Sequence, residues 1–175
     1  IVIRMEPTLE SPQGSDDAGV FGLPIDEHVV IFVDEHRVAL RSCLDGLSEE
    51  QVRRSVVPSA TTLLGLVKHA SFVERVWFAE AVTGQSRSEL GIGAEPGDSF
   101  VLEEGDTIES VTALHRATCE QSRIAVSGMS LDDLLPGNRR GPLPLRWIYL
   151  HVLRELAQHC GHADILREQV LADSR

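Results

Sequence analysis

The spacing of its apolar residues leaves this chain one class of fold. Nowhere do apolar and polar residues alternate with the two-residue period of a half-buried strand. Four stretches instead carry apolar residues at helical intervals, separated by breaks rich in Gly, Pro and Ser. The first runs from Asp26 to Leu44 on Val29, Ile31, Phe32, Val33, Val38, Leu40 and Leu44, and Gly46 ends it. Ser48 followed by Glu49, Glu50 and Gln51 reads as a capping box that opens a short turn of helix. The second long stretch starts after Pro58, with Ser59 or Thr61 as its N-cap, and reaches Val82 ahead of Gly84. The third spans Asp106 to Val126, its inner stripe marked by Ile108, Val111, Leu114 or His115, Thr118 or Cys119, and Ser122. The last opens near Pro142 or Pro144, where proline is tolerated in a first turn, and continues to Ala172.

Four long helices with long connections between the second and third and between the third and fourth predict an all-α four-helix bundle. The Gly84 to Gly105 connection is long for a compact domain, so it is either a lid or a packed surface loop. Residues 1–24, with Pro7, Pro12, Gly14, Gly19, Gly22 and Pro24, read as a flexible arm, and residues 25–173 as the bundle domain. A chain of 175 residues with 42% hydrophobic and 25% charged residues has room for one globular domain. Its formal net charge of −11 argues against nucleic acid, whose phosphates require a basic face. No apolar run reaches the roughly 18 residues of a membrane span, and no charged-then-apolar leader is visible. Cys43, Cys119 and Cys160 are widely spaced, odd in number and form no CxxC, which predicts free thiols and a cytoplasmic protein.

Chemistry concentrates in the last helix. At about 100° per residue, His151, Glu155, His159 and His162 fall on one narrow stripe. That stripe is flanked by Trp147, Ile148, Val152, Leu156, Ala163 and Leu166, so it points toward the core. Burying a carboxylate and three imidazoles without partners costs several kcal/mol, and a divalent cation is one economical partner. Glu155 and His159, at i and i+4, can converge on a single ion, and the inward-facing His69 of the second helix is the natural third donor. A solvated polar face or a hydrogen-bonded buried network is the competing account. Two histidines and a glutamate make a catalytic zinc set with an open position, unlike the closed four-ligand spheres of structural sites. The spacing is not HExxH, and no pair of ExxH motifs points to a di-iron centre.

Pro58 through His69 and Ala70, followed by Glu74 to Phe78, resembles the DinB-like (DinB/YfiT-like) metal-binding four-helix superfamily, and within it a mostly actinobacterial branch of unknown function. Leu145 through His151, Glu155, His159, Gly161 to Asp164 and Leu166 to Glu168 matches the C-terminal signature of that branch. Asp45 to Ser48 and Ser130 to Asp133 fit it as well, so the resemblance covers residues 26–171. It implies a mononuclear site at His69, Glu155 and His159. Most relatives have histidine at the position of Glu155, and a glutamate there resembles the mycothiol-dependent maleylpyruvate isomerase branch. His162 falls where many relatives carry glutamine, which makes it a supporting residue of the site, and His151 lies one turn further away in a similar role.

The resemblance also implies a divalent metal, zinc first and nickel second. It implies a low-molecular-weight thiol such as mycothiol as cosubstrate, an electrophile as second substrate, S-transfer or isomerisation as the reaction, and a homodimer. The alternatives are a metal- or ligand-binding bundle without turnover, in a stress or detoxification pathway, and, further behind, a hemerythrin-like carrier. Arg139, Arg140 and Arg146 are candidates for holding the thiol, although a solvated loop is the default for the first two and surface charge for the third. Trp77 and Trp147 read as core aromatics, and Cys160 as a small packing residue beside His159. His115 either faces the same cavity or is an ordinary inward histidine, and His28 and His36 belong on the polar side of the first helix.

Overall fold

The computed structural model describes residues 19–172. The arm expected over residues 1–24 therefore lies outside the described residues up to position 18; Gly19–Gly22 form a 3-10 turn leading into the first helix. Helix α1 spans Ile25–Ser42, with Asp26 and Glu27 in its first turn and Arg41 in its last, both favourable to the helix dipole. The short α2, Glu49–Arg53, carries the expected capping box: Ser48 accepts from the Gln51 amide and the Gln51 side chain accepts from the Ser48 amide. Helix α3, Leu63–Glu74, starts at Thr62, whose hydroxyl accepts from the Gly65 amide, one residue beyond the Thr61 expected from sequence. It continues through a π-helical turn, Arg75–Glu80, into the closing turn α4, Ala81–Thr83. Helix α5 covers Ile108–Ala125 behind a Thr107–Ser110 capping box, and α6 covers Leu145–Ala172.

The long helices make the expected all-α bundle. Helix α1 packs along α6, and α3 packs against both α5 and α6. Of the first helix's apolar residues, Val29, Val33 and Leu40 face inward, while Phe32 and Val38 are exposed. Arg37 occupies the inward turn between Val33 and Leu40. Helix α3 is buried on nearly every face, Lys68 being its one half-exposed residue. That explains why its sequence reads as apolar all round and not as a stripe. Leu64, Val67 and Ala70 meet Ile148, Val152 and Leu156 of α6 in the core.

One departure from the expected pattern is a two-residue antiparallel ladder, β1 (Leu134–Leu135) with β2 (Leu143–Pro144), in the break before α6. Two-residue strands are too short to produce a sequence period. Among the described residues no helix is long and apolar enough to cross a membrane.

Candidate metal centre

His69 is carried by the buried middle of α3, and Glu155 and His159 by successive turns of α6, which crosses it. The packing brings one donor atom of each residue within 4.8 Å of the others, the only such convergence of three or more His, Cys, Asp or Glu side chains among the described residues. Glu155 Oε2 lies 3.9 Å from His159 Nε2. The His69 and His159 rings meet edge to face with centroids 4.9 Å apart.

The loop after α4 turns out to be a packed surface loop. Its 3-10 turn, Pro96–Phe100, lies on α3. A Cβ at Gly65 would stand 2.8 Å from the Phe100 carbonyl oxygen, so this close approach requires glycine. Phe100 stacks on His69 at 4.0 Å. The Ser99 hydroxyl donates to the Pro96 carbonyl at 2.5 Å, which leaves its oxygen to accept from His69 Nδ1–H at 2.7 Å. That pair of bonds fixes the tautomer and keeps the Nε2 lone pair free. An imidazole whose second nitrogen is tied to a neighbour in this way is the usual setting of a metal-ligating histidine.

Burial is the main cause that pushes His69 down to about 4, with the His159 ring beside it adding to the effect. Burial lowers His159 and His151 as well. All three imidazoles are neutral at neutral pH, the form that offers a lone pair to a cation. His159 Nδ1 is buried and has no protein partner. Buried polar atoms in native structures are nearly always satisfied, so this nitrogen is an opening for something the chain does not supply. The donor set, the fixed tautomer of His69 and the orphaned nitrogen of His159 fit a divalent metal.

The two expected supporting histidines sit differently. His151 is stacked on Trp147 with ring centroids 5.0 Å apart and tilted against Trp77 at 4.1 Å. Arg154 donates to its Nδ1 at 2.7 Å, and its Nε2 faces Glu155 Oε1 at 3.9 Å. His162 is exposed, its ring 5.7 Å from that of His159. His115 is fully buried away from the cavity, between Arg41, 3.1 Å from its Nδ1, and Cys119, 3.5 Å from its Nε2. His28 is half-buried against the Val20 carbonyl, and His36 bonds the Phe32 carbonyl one turn back. Cys160 is half-buried and donates to the His36 carbonyl at 3.7 Å, the packing role expected of it.

A cavity of about 300 Å³ opens beside His69 and Glu155. Trp77 and Glu80 line it from the π turn, Arg87 and Pro96 from the long loop, and Asn138, Arg139 and Arg140 from the β1–β2 connection. The arginine pair read as a solvated loop is thus exposed to solvent yet lines this cavity. Arg146 points elsewhere and pairs with Asp132. Sequence reasoning missed Ser99, Phe100, Glu80, Arg87 and Asn138. Glu80 lies in the second helical stretch, where a lone glutamate carries no signal of a site; the other four sit in the breaks, and Pro96-Gly97 signalled a turn without saying what it would cover.

Among curated proteins no sequence matches the chain. The sequence model of the Mycothiol-S-transferase family matches residues 28–172. That span includes the first helix from His28 onward, the other three long helices, the three converging donors and both segments on which the DinB-like resemblance rests. The chain belongs to the mycothiol S-transferase family.

Proposed function

We propose that the chain is a divalent-metal-dependent thiol S-transferase that joins mycothiol to an electrophile, with His69, Glu155 and His159 as the metal ligands. The observation that carries this reading is the convergence of those three donors, from two helices, within 4.8 Å beside an open cavity. A divalent cation bound there, zinc first and nickel second, lowers the pKa of a thiol so that the thiolate is the form present near neutral pH. The protein's own part is positioning. Ser99 holds the His69 ring, Phe72 and Phe100 shield it from water, and Glu155 supplies the one anionic donor. The cavity gives the second substrate a place next to the sulfur. In the transfer the sulfur forms a bond to carbon, the leaving group departs with the electron pair of the bond it breaks, and the thiol proton goes to solvent. A non-catalytic bundle is less well supported, because His162 is exposed and not one of the three converging donors, and a cavity adjoins them.

The test is metal analysis of untagged protein beside His69→Ala and Glu155→Ala, followed by conjugation of mycothiol to a fluorogenic chloroalkyl probe. About one zinc or nickel ion per chain is expected, lost in both variants together with conjugation. Folded protein that neither carries nor takes up zinc or nickel would overturn the reading. Metal-loaded protein without conjugation would leave the ligand-binding bundle.

A further inference from the structure

Beyond the three donors, the cavity is unusual in its charge. On a chain of formal net charge −11, it gathers three arginines, Arg87, Arg139 and Arg140, against two carboxylates, Glu80 and Glu155. Two of the arginines are already occupied. Arg87 Nε donates to Glu80 Oε2 at 3.1 Å and its Nη1 to the Ala94 carbonyl, and Arg139 lies 3.8 Å from the other oxygen of Glu80. Glu80 is buried and shared between them, so its charge is spent within the cavity wall.

Arg140 is different. Its guanidinium has no carboxylate partner among the described residues. It stands 6.0 Å from the Trp77 ring centroid and 5.9 Å from that of Trp147, within reach of a cation–π contact with each. The turn that carries it is firmly seated. The Gly137 amide donates to the Ala81 carbonyl at 2.9 Å, the Arg140 amide donates to the Asn138 side-chain oxygen at 2.9 Å, and Asn138 is itself buried. Gly137 lies so close to the end of the π turn that a Cβ there would stand 2.2 Å from the Glu80 carbonyl oxygen. A cation held against two indoles on an anchored turn, with its donor fork unclaimed, is a preorganised site for a planar anion.

We propose that this corner of the cavity is an anion subsite: Arg140 binds a carboxylate on the electrophilic substrate, whose apolar body lies against Trp77 and Phe72. The proposal rests on the transferase reading for the word substrate, while the subsite itself is a binding claim that stands or falls without turnover. The cavity volume suits a small ligand, and its surplus of positive charge concentrates anions from an otherwise acidic surface.

Benzoate and its uncharged counterpart benzamide are the probes. Trp77 and Trp147 are the only two tryptophans in the chain; Trp77 lines this cavity and the Trp147 ring lies 5.4 Å from it, so intrinsic fluorescence reports on the site. Titrations are run on chelator-treated and zinc-loaded full-length protein, on Arg140→Gln, and on Arg146→Gln as a charge-matched change outside the cavity. Benzoate should bind both forms of the parent protein roughly tenfold or more tightly than benzamide, and Arg140→Gln should remove that preference while Arg146→Gln keeps it. Equal binding of the two probes, or full benzoate affinity in Arg140→Gln, would overturn the subsite. So would benzoate binding confined to the zinc-loaded form, because the carboxylate would then sit on the metal. Carboxylate selectivity through Arg140 without mycothiol conjugation would retire the transferase reading and keep the subsite. Conjugation without selectivity would do the reverse.

Discussion

Ser99 governs the best-defined donor of the site without being a donor itself. Its hydroxyl is committed to the Pro96 carbonyl, and the remaining lone pair accepts from His69 Nδ1–H, so the imidazole can present only Nε2 toward Glu155 and His159. Ser99→Ala removes that bond and leaves the ring free to take the other tautomer or turn about its stem. Loss of such an outer hydrogen bond typically costs about 10–100-fold in metal affinity. Competition against a chromophoric zinc chelator should show a loss in that range, with the circular dichroism spectrum unchanged. Unaltered zinc affinity in this variant would mean that the Pro96 backbone and Phe100 stacking orient the ring without Ser99. Glu155 and His159 were legible as a pair because an i, i+4 spacing places them together whatever the rest of the chain does. Ser99 was not, because its thirty-residue separation from His69 is bridged by a loop whose path no periodicity encodes.

The π turn, Arg75–Glu80, lies between two buried carboxylates with different partners. Glu74, just before it, is fully buried and receives both Arg37 Nε at 2.8 Å and Arg37 Nη2 at 2.6 Å, while Arg37 Nη1 reaches Asp34 at 2.7 Å. Arg123 of α5 donates to Asp34 as well, at 2.9 Å, so one chain of charges ties α1, α3 and α5 on the bundle side that carries no donor of the candidate site. Glu80, at the other end of the turn, serves the cavity. Removing one partner of a buried ion pair leaves the other charge uncompensated. Glu74→Ala should therefore lower the urea unfolding free energy by about 3–5 kcal/mol, whereas Arg37→Met combined with Glu74→Leu should restore most of the loss. A double variant no more stable than Glu74→Ala would show that the apolar pair cannot fill the space. The first helix's pattern invited Phe32 and Val38 to be counted with the core. The inward row is Val29, Val33, Arg37 and Leu40, and a buried arginine reads from sequence as a surface residue until its partner is known.

His115 couples the stability of the whole bundle to pH. Burial, reinforced by the Arg41 and Arg37 charges, pushes its pKa down to about 3, against about 6.5 for an unperturbed histidine. Below pH 6.5 the unfolded chain takes up this proton and the folded one does not until near pH 3. The unfolded state then binds more protons, so stability falls as pH falls across that window and is fully retained above it. At pH 5 the contribution amounts to about 2 kcal/mol. His115→Gln should flatten the dependence of unfolding free energy on pH between 6.5 and 5 by that amount, measured by urea denaturation in matched buffers. His69, His151 and His159 shift in the same direction and remain in both proteins, so the difference between the two slopes isolates His115. A variant slope equal to the parent's would mean that the His115 ring accepts its proton in the folded state.

Local periodicity, breaks and caps were enough to read four helices, an all-α bundle, the capping box at Ser48 and the polar stripe of α6, because each depends on residues within a turn or two of one another. The inward face of His69 was legible for the same reason. Its meeting with Glu155 and His159 was an expectation that only the crossing of α3 over α6 could bring about, since the two segments are more than eighty residues apart in the sequence. The loop seated on Gly65, the arginine turn seated against Glu80, and the burial of Arg37 against Glu74 were likewise decided by tertiary contacts. Each joins groups whose separation along the chain carries no period, and their chemistry exists only once the folded backbone has brought them together.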